Sequence, residues 1–78
     1  MAELGNKLKE LRTQKGYTQA TLAEKVGVSR KTINTIENYV FSPSTLLAMQ
    51  IARELEVTIH DIFYLKDKRY SHSLLPPT

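Results

Sequence analysis

Apolar residues recur along most of this chain at the three- and four-residue spacing of helices that bury one face. Leu4, Leu8 and Leu11 follow this spacing, and Gly16 stands where a first helix would end. No window alternates with period two, except near Phe63–Leu65. The pattern therefore predicts an all-α fold of five short helices: one from about residue 4, then 19–26, 30–38, 45–56 and a last turn from 59.

Polar residues suited to a helix start precede four of these segments. Thr18 and Ser29 are predicted N-caps, and Ser42-Pro43-Ser44 predicts a loop followed by a new helix. Thr58 to Asp61 has the form of a capping box, in which a hydroxyl and a carboxylate each accept a backbone N–H.

The second and third helices are joined by a very short connection. From 19 to 37 the string is Gln-x-x-Leu-Ala-x-x-x-Gly-Val-Ser-x-x-x-Ile-x-x-Ile-Glu. Ala23 is small enough for a close helix crossing, and Gly27 can take the positive φ that such a turn needs. With Ile33 and Ile36 facing inward, the outer face of the third helix becomes basic and polar and holds no acids. Its residues are Arg30, Lys31, Asn34 and Thr35.

This stretch resembles the helix-turn-helix of the Xre/Cro family, the DNA-binding domain type of lambdoid phage repressors. The resemblance runs from about Leu8 to Phe63 and includes Leu-Arg-x-x-Lys-Gly-Tyr-Thr-Gln, Leu-Ala-Glu-Lys-Val-Gly-Val-Ser-Arg, Thr-Ile-Asn-Thr-Ile-Glu-Asn and Pro-Ser. It implies a compact five-helix, lambda-repressor-like domain over 1–65. Residues 66–78 are then expected to form a short C-terminal tail, flexible or a short strand.

The resemblance also implies a function. Family members of this kind are sequence-specific transcriptional regulators, here expected to repress, that bind a near-palindromic operator in double-stranded DNA as homodimers through a recognition helix at about 29–38. Arg12 and Glu37 match an internal ion pair that joins the first and third helices. The resemblance favours this pair over the other interpretation of Glu37, a solvated acid at the helix end. The DNA-binding residues implied by position are Thr18, Gln19, Ser29, Arg30, Lys31, Thr32, Asn34, Thr35 and Asn38.

The chain departs from the family after Asn38. Tyr39 and Val40 stand where Gly or Asn and then a basic residue are usual. The basic residue that would contact a DNA phosphate from this loop is therefore missing. Asn38 is expected to close the helix in the left-handed conformation. Phe41 has two interpretations: a subunit contact together with Ile59, or a side chain that folds back onto the core.

Charge is distributed unevenly along the chain. The 78 residues carry a net +3, but residues 1–31 hold seven basic and three acidic side chains, a net of +4, whereas 32–64 hold one basic and four acidic, a net of −3. Such asymmetry favours one face for a polyanion, although an ordinary solvated surface gives the same totals.

Composition excludes several classes. The chain has no cysteine and two histidines, so neither disulfides nor a metal site is expected, and no cofactor is implied. No apolar run approaches the ~20 residues of a membrane span, and no signal-peptide character is visible at the N-terminus, so a cytoplasmic protein, prokaryotic or phage-encoded, is expected. His60 and Asp61 are neighbours that point in different directions, and no enzymatic activity is expected.

The alternative function is an antitoxin or adaptor that binds a partner protein, with the tail as the docking segment.

Overall fold

Five helices and one small sheet make up the computed structural model, which describes residues 3–66. The five helices match the expected lambda-repressor-like arrangement, but strands β1 and β2 pair with each other, so the fold is not strictly all-α as predicted. In chain order the elements are β1 Glu3–Asn6, α1 Leu8–Gln14, α2 Gln19–Val26, α3 Arg30–Glu37, α4 Thr45–Leu55, α5 Ile59–Ile62 and β2 Phe63–Lys66.

Four of the helices begin at a hydroxyl side chain, as the sequence predicts. Thr18, Ser29, Ser44 and Thr58 are extended N-caps, and each side-chain oxygen accepts the N–H three residues onward. At α5 the Asp61 carboxylate accepts the Thr58 N–H in return, which completes the predicted capping box. Each cap satisfies donors that have no partner within the helix and so fixes where the helix starts.

A three-residue connection sets α3 across α2. Gly27 has φ +79°, which is the left-handed conformation predicted for it, and its N–H closes α2 on the Ala23 carbonyl. Ala23 is buried, and Val28 lies half-buried against the core beside the turn. The small residue and the sharp turn together allow α3 to pack closely across α2.

The core is formed by the inward faces of all five helices and the start of β2. Its centre consists of large apolar side chains with almost no exposed surface, and α4 contributes the longest stripe. The largest fully buried side chains are Leu8, Leu22, Ile33, Ile36, Ile51 and Ile62.

The prediction that the first helix includes Leu4 is wrong, because residues 3–6 form β1. Strands β1 and β2 are antiparallel, with Gly5 opposite Tyr64. The Tyr64 ring lies over Gly5, where an added Cβ would come within 2.5 Å of it. Leu4 packs against the core from β1, whereas Leu8 and Leu11 belong to α1. The leucine spacing that suggested one helix is therefore shared by a strand and a helix.

Asn6 ties this sheet to the helices. Its Nδ2 donates to the Ile36 carbonyl near the end of α3 (3.0 Å), and its Oδ1 accepts the Leu8 N–H at the start of α1 (3.1 Å).

Strand β2 ends at Lys66, and the rest of the predicted tail, 67–78, lies outside the described residues. Within residues 3–66 no helix combines the length and the apolar character required to cross a membrane.

Candidate nucleic-acid interface

The outer face of α3 is the surface that the sequence assigns to DNA. Ile33 and Ile36 are buried on the opposite side of the helix, with at most 1% of their surface exposed. Thr32 and Thr35 are half-buried along its edge. On α3 and its two caps, the exposed members of the predicted set are Ser29, Arg30, Lys31, Asn34 and Asn38; Thr18, at the start of α2, is exposed as well.

The single acid of α3 is turned away from this face. Glu37 has a side chain that is 3% exposed, and its carboxylate pairs with the Arg12 guanidinium: Nε donates to Oε2 at 2.6 Å and Nη2 to Oε1 at 3.2 Å. The structure therefore brings Arg12 and Glu37 together in a forked pair that is nearly buried. With Glu37 neutralised inside, Arg30 and Lys31 give the exposed face of α3 a purely positive charge.

The same ion pair holds three helices in register. Arg12 Nη1 donates to the Tyr17 carbonyl just before α2 (2.8 Å), and Gln19 Nε2 donates to Glu37 Oε1 (3.1 Å). Gln19, to which the family resemblance assigns a phosphate contact, is thus half-buried and hydrogen-bonded to the last residue of α3. Since an amide nitrogen has two N–H groups, one remains for an outside acceptor.

The start of α2 lies beside the start of α3. The N–H groups of Gln19 and Ala20 precede the first helical hydrogen bond, which runs from Leu22 to the Thr18 carbonyl, so they point out of the helix end, where an anion is favoured. They border a surface concavity of about 480 Å³ that Arg30 also lines. Arg30 consequently borders the expected phosphate site and also belongs to the expected base-reading face.

The helix end is built differently from the prediction, which is wrong for Asn38. Asn38 has φ −95° and ψ 13°, and the left-handed residue is Tyr39, with φ +64°. The N–H groups of Tyr39 and Val40 donate to the carbonyls of Ile36 and Thr35, the pattern of a Schellman motif. This motif requires the left-handed residue one place beyond Asn38. Lys66 Nζ lies 4.8 Å from the centre of the Tyr39 ring, and Tyr39 is otherwise 58% exposed.

Phe41 and Ile59, the two residues assigned to a dimer contact, lie in different surroundings. Phe41 is 48% exposed and does not belong to the core, so it does not fold back as one interpretation proposed. It borders a groove beside α3. Ile59 opens α5 and packs half-buried against the core.

His60 and Asp61 do not form a catalytic pair. The Asp61 carboxylate accepts the Thr58 backbone N–H at 2.8 Å, and this hydrogen bond is the main reason that the pKa of Asp61 lies below its ordinary value. His60 is exposed. In the described part of the chain, no three His, Asp or Glu side chains are grouped so that they could hold a metal ion.

Known proteins share this arrangement. The helix-turn-helix family matches residues 8–62. The uncharacterised HTH-type transcriptional regulator YgzD of Bacillus subtilis (strain 168) is 43% identical over 63 residues, which cover 81% of this chain and 96% of that protein. The crystal structure of the restriction-modification controller protein C.AhdI from Aeromonas hydrophila superposes with a TM-score of 0.66 at 31% identity, over 69% of this chain and 78% of that one. Antitoxin HipB of Escherichia coli O6:H1 is 35% identical over 57 residues, 73% of this chain and 61% of its own length.

The short turn, the capped α3 and the positive outer face define a helix-turn-helix DNA-binding protein. The chain belongs to the helix-turn-helix family, of the Xre/Cro type, whose members are DNA-binding regulators of transcription.

Proposed function

We propose that this protein is a sequence-specific repressor that binds a near-palindromic operator as a homodimer, by binding alone and without catalysis. The observation that supports it best is the outer face of α3, which is exposed and positive because Glu37 is buried against Arg12. A polyanion is attracted to such a face, and a helix of this width enters the major groove of B-DNA. Such a protein works where the DNA is, which in a prokaryotic cell is the cytoplasm.

Phosphate contacts come from the start of α2 in this proposal. Thr18 caps the helix, and the N–H groups of Gln19 and Ala20 face outward beside the free N–H of the Gln19 amide. Because Gln19 is attached to Glu37 at the end of α3, phosphate binding there sets the position of α3 in the groove. With ~6 phosphate contacts per complex, the slope of log K against log salt is about −5.

Base contacts come from α3. Arg30 and Lys31 suit guanine O6 and N7, and Asn34 suits adenine N6 and N7, whereas Thr35 offers a methyl group to thymine. Ser29, Thr32 and Asn38 lie at the edges of the same face, where contacts to the backbone are expected.

The two-fold operator follows from a dimer. Two copies of α3 separated by about 34 Å would read half-sites one helical turn apart. Phe41, which is half-exposed, and Ile59, at the start of α5, are the proposed subunit contact. A dimer seated on its operator excludes other proteins from that stretch of DNA, which is the reason for proposing repression.

Selection of bound sequences from random double-stranded DNA tests this proposal. We expect a palindromic motif with two half-sites about one turn apart. Arg30→Ala and Lys31→Ala should relax the preference at particular base pairs, with losses of ~1–3 kcal/mol, whereas Gln19→Ala should weaken all sequences alike. Arg53→Ala is the matched control, because Arg53 is an exposed cation on α4, apart from α3. Recovery of the same motif and affinity with both α3 variants would refute the assignment.

A second function is supported by the similarity to antitoxin HipB. We propose it as the alternative: binding of a partner protein, with the segment after β2 as the docking element. Expression of the chain in its native host, followed by purification under low salt, separates the two. A stoichiometric partner that persists in the absence of DNA favours the alternative, and a homodimer that binds DNA unaided favours the repressor.

A further inference from the structure

The loop after α3 lacks the cation that is usual there, but a lysine from another element lies beside it. Tyr39 and Val40 occupy the two positions where Gly or Asn and then a basic residue are usual. Lys66, the last residue of β2, brings its Nζ to 4.8 Å from the centre of the Tyr39 ring. The similarity to the helix-turn-helix family ends at residue 62, before this strand begins. A different part of the chain thus supplies a positive charge at the end of α3.

The Lys66 side chain is held at two points along its length. A Cβ added to Gly5, in the neighbouring strand, would come within 2.6 Å of Lys66 Cδ, so the aliphatic part of the lysine crosses the glycine backbone. At its far end the ammonium lies over the Tyr39 ring, whose face attracts a cation. Because this long side chain is already ordered, a contact made by its ammonium costs less conformational entropy.

The Lys66 ammonium is available to an outside anion. The two ion pairs among residues 3–66 are those of Arg12 and Lys15, and they include neither Lys66 nor Glu3, its partner in the sheet register. Lys66 is exposed. An ammonium carries three N–H donors, and the ring lies on one side of it only. The charge at the end of α3 can therefore bind an anion without first breaking an ion pair within the described residues.

The length of α3 matches the groove that it is proposed to enter. With eight residues, α3 is about 12 Å long, and the major groove of B-DNA is about 12 Å wide, with a phosphate backbone along each side. When α3 lies in the groove, both of its ends are within side-chain reach of a backbone. Arg30 and Lys31 stand in its first turn, whereas its last turn contains no basic residue. Lys66 is thus the cation that serves the end of this helix.

We propose that Lys66 binds a phosphate of the DNA backbone at the end of α3 and is positioned there by Tyr39; this inference rests on the DNA-binding function proposed above. Strand β2 thereby makes the contact for which the loop after α3 has no residue. Tyr39 is a positioning residue, because it acts through the ammonium that lies on its ring. Since a phosphate contact carries no sequence information, Lys66 adds affinity and leaves the base preference to α3.

Lys66→Gln tests this contact, because it removes the charge and keeps a polar side chain of comparable length. Affinity for the selected operator is measured by fluorescence anisotropy between 50 and 200 mM salt. A dimer loses two phosphate contacts, so the slope of log K against log salt should change from about −5 to about −3. The loss of affinity over this fourfold rise in salt should then be about twelvefold smaller than in the wild type. Operators with single base changes should all be weakened by the same factor, and Lys66→Arg should restore the wild-type slope.

Lys25→Gln is the matched control. Lys25 is also an exposed lysine whose Nζ lies over a tyrosine ring, 5.4 Å from the centre of Tyr17, but it belongs to α2. Its replacement should leave the slope unchanged. A loss of folded protein lowers affinity by the same factor at every salt concentration, so the slope separates a lost contact from a lost fold.

Variants of Tyr39 test its positioning role. Tyr39→Leu removes the ring and should weaken binding when Lys66 is present, but it should have no further effect in the Lys66→Gln background. Tyr39→Phe keeps the ring and should restore the affinity that Tyr39→Leu loses. Equal effects of Tyr39→Leu in both backgrounds would show that the ring does not act through Lys66.

The remaining outcomes separate this contact from the other proposals. A wild-type slope in Lys66→Gln, or an equal change in Lys25→Gln, overturns the phosphate contact and leaves operator binding intact. If Lys66→Gln keeps the slope and changes the dissociation constant of the dimer in sedimentation equilibrium without DNA, Lys66 belongs to the subunit contact instead. Failure to select any operator overturns the proposed function and this inference together.

Discussion

Replacement of Glu37 by glutamine should destabilise this protein severely although it changes the shape of the side chain very little. Glu37 accepts two hydrogen bonds from Arg12 and one from Gln19, and its side chain is 3% exposed, against 11% for Arg12. In the variant the guanidinium stays buried without a counter-charge. Removal of one member of a buried pair costs about 3–5 kcal/mol, and the partial exposure of Arg12 favours the lower end.

The size of this loss matters because the domain is small. At ~0.05–0.15 kcal/mol per residue, a 78-residue domain is stable by about 4–12 kcal/mol. A loss of ~3 kcal/mol would lower Tm by roughly 12–24 °C in a domain of this length. The variant should still fold at low temperature, but it should unfold at a much lower urea concentration than the wild type.

Urea unfolding followed by circular dichroism measures the effect, and a double-mutant cycle isolates its cause. The cycle consists of Arg12→Met, Glu37→Leu and the double variant Arg12→Met/Glu37→Leu. We expect the double variant, which has neither charge, to be more stable than either single variant of the cycle, because an apolar pair of similar volume needs no counter-charge. Glu24→Gln, on the exposed side of α2, is the control and should change stability by less than about 0.5 kcal/mol. The reasoning is refuted if Glu37→Gln costs less than ~1 kcal/mol, or if the two single effects simply add in the double variant.

Three further predictions follow from local geometry. Asn6→Ala should cost about 1–3 kcal/mol in urea unfolding, because it leaves the Leu8 N–H unpaired and removes one of the two donors to the Ile36 carbonyl, which keeps the Tyr39 N–H; a cost below ~1 kcal/mol would contradict the two hydrogen bonds. Tyr39→Gly should be more stable than Tyr39→Ala by roughly 1 kcal/mol, the reverse of the order inside a helix, because φ is +64°; equal melting curves would count against this. The carboxyl carbon of Asp61 should titrate below the ordinary range of aspartate in NMR, since its folded pKa is lowered by the Thr58 N–H. Its stabilising contribution is present above the unfolded pKa and is lost as the pH falls through the folded one; a midpoint at or above the ordinary value would mean that the capping box is open.

The helices could be predicted because their signals are local. Ser29 caps α3 through the N–H of Thr32, only three residues away, and Gly27 takes the positive φ that its position between two periodic segments requires. The outer face of α3 followed from the inward isoleucines alone. Short-range hydrogen bonding and periodicity are therefore sufficient for the helix-turn-helix and its exposed surface.

The sheet could not be predicted, because its signals are distant and short. Each strand has four residues, so the period-two alternation near Phe63–Leu65 is too short to predict a strand there. Leu4 also stands four residues before Leu8, which suggests a helix. Asn6, the last residue of β1, donates to the Ile36 carbonyl, which is 30 residues away in the chain. In the site, the attachment of Gln19 to Glu37 and the left-handed Tyr39 are likewise results of packing, without a signal in neighbouring residues.

The pairing of β1 with β2 has a consequence for the order in which the chain folds. Partners in this sheet are 57 to 63 residues apart, and direct closure of such a loop costs about 3–4 kcal/mol in chain entropy. The helices pack within much shorter loops, so they bring the strands together before the strands pair, and the sheet forms last and opens first. Amide hydrogens of β1 and β2 should then exchange sooner than those of α2. Asn6 of β1 donates to the Ile36 carbonyl, and Lys66 of β2 lies against one side of the Tyr39 ring. We therefore expect each opening of the sheet to remove two contacts from the end of α3, while its start stays capped.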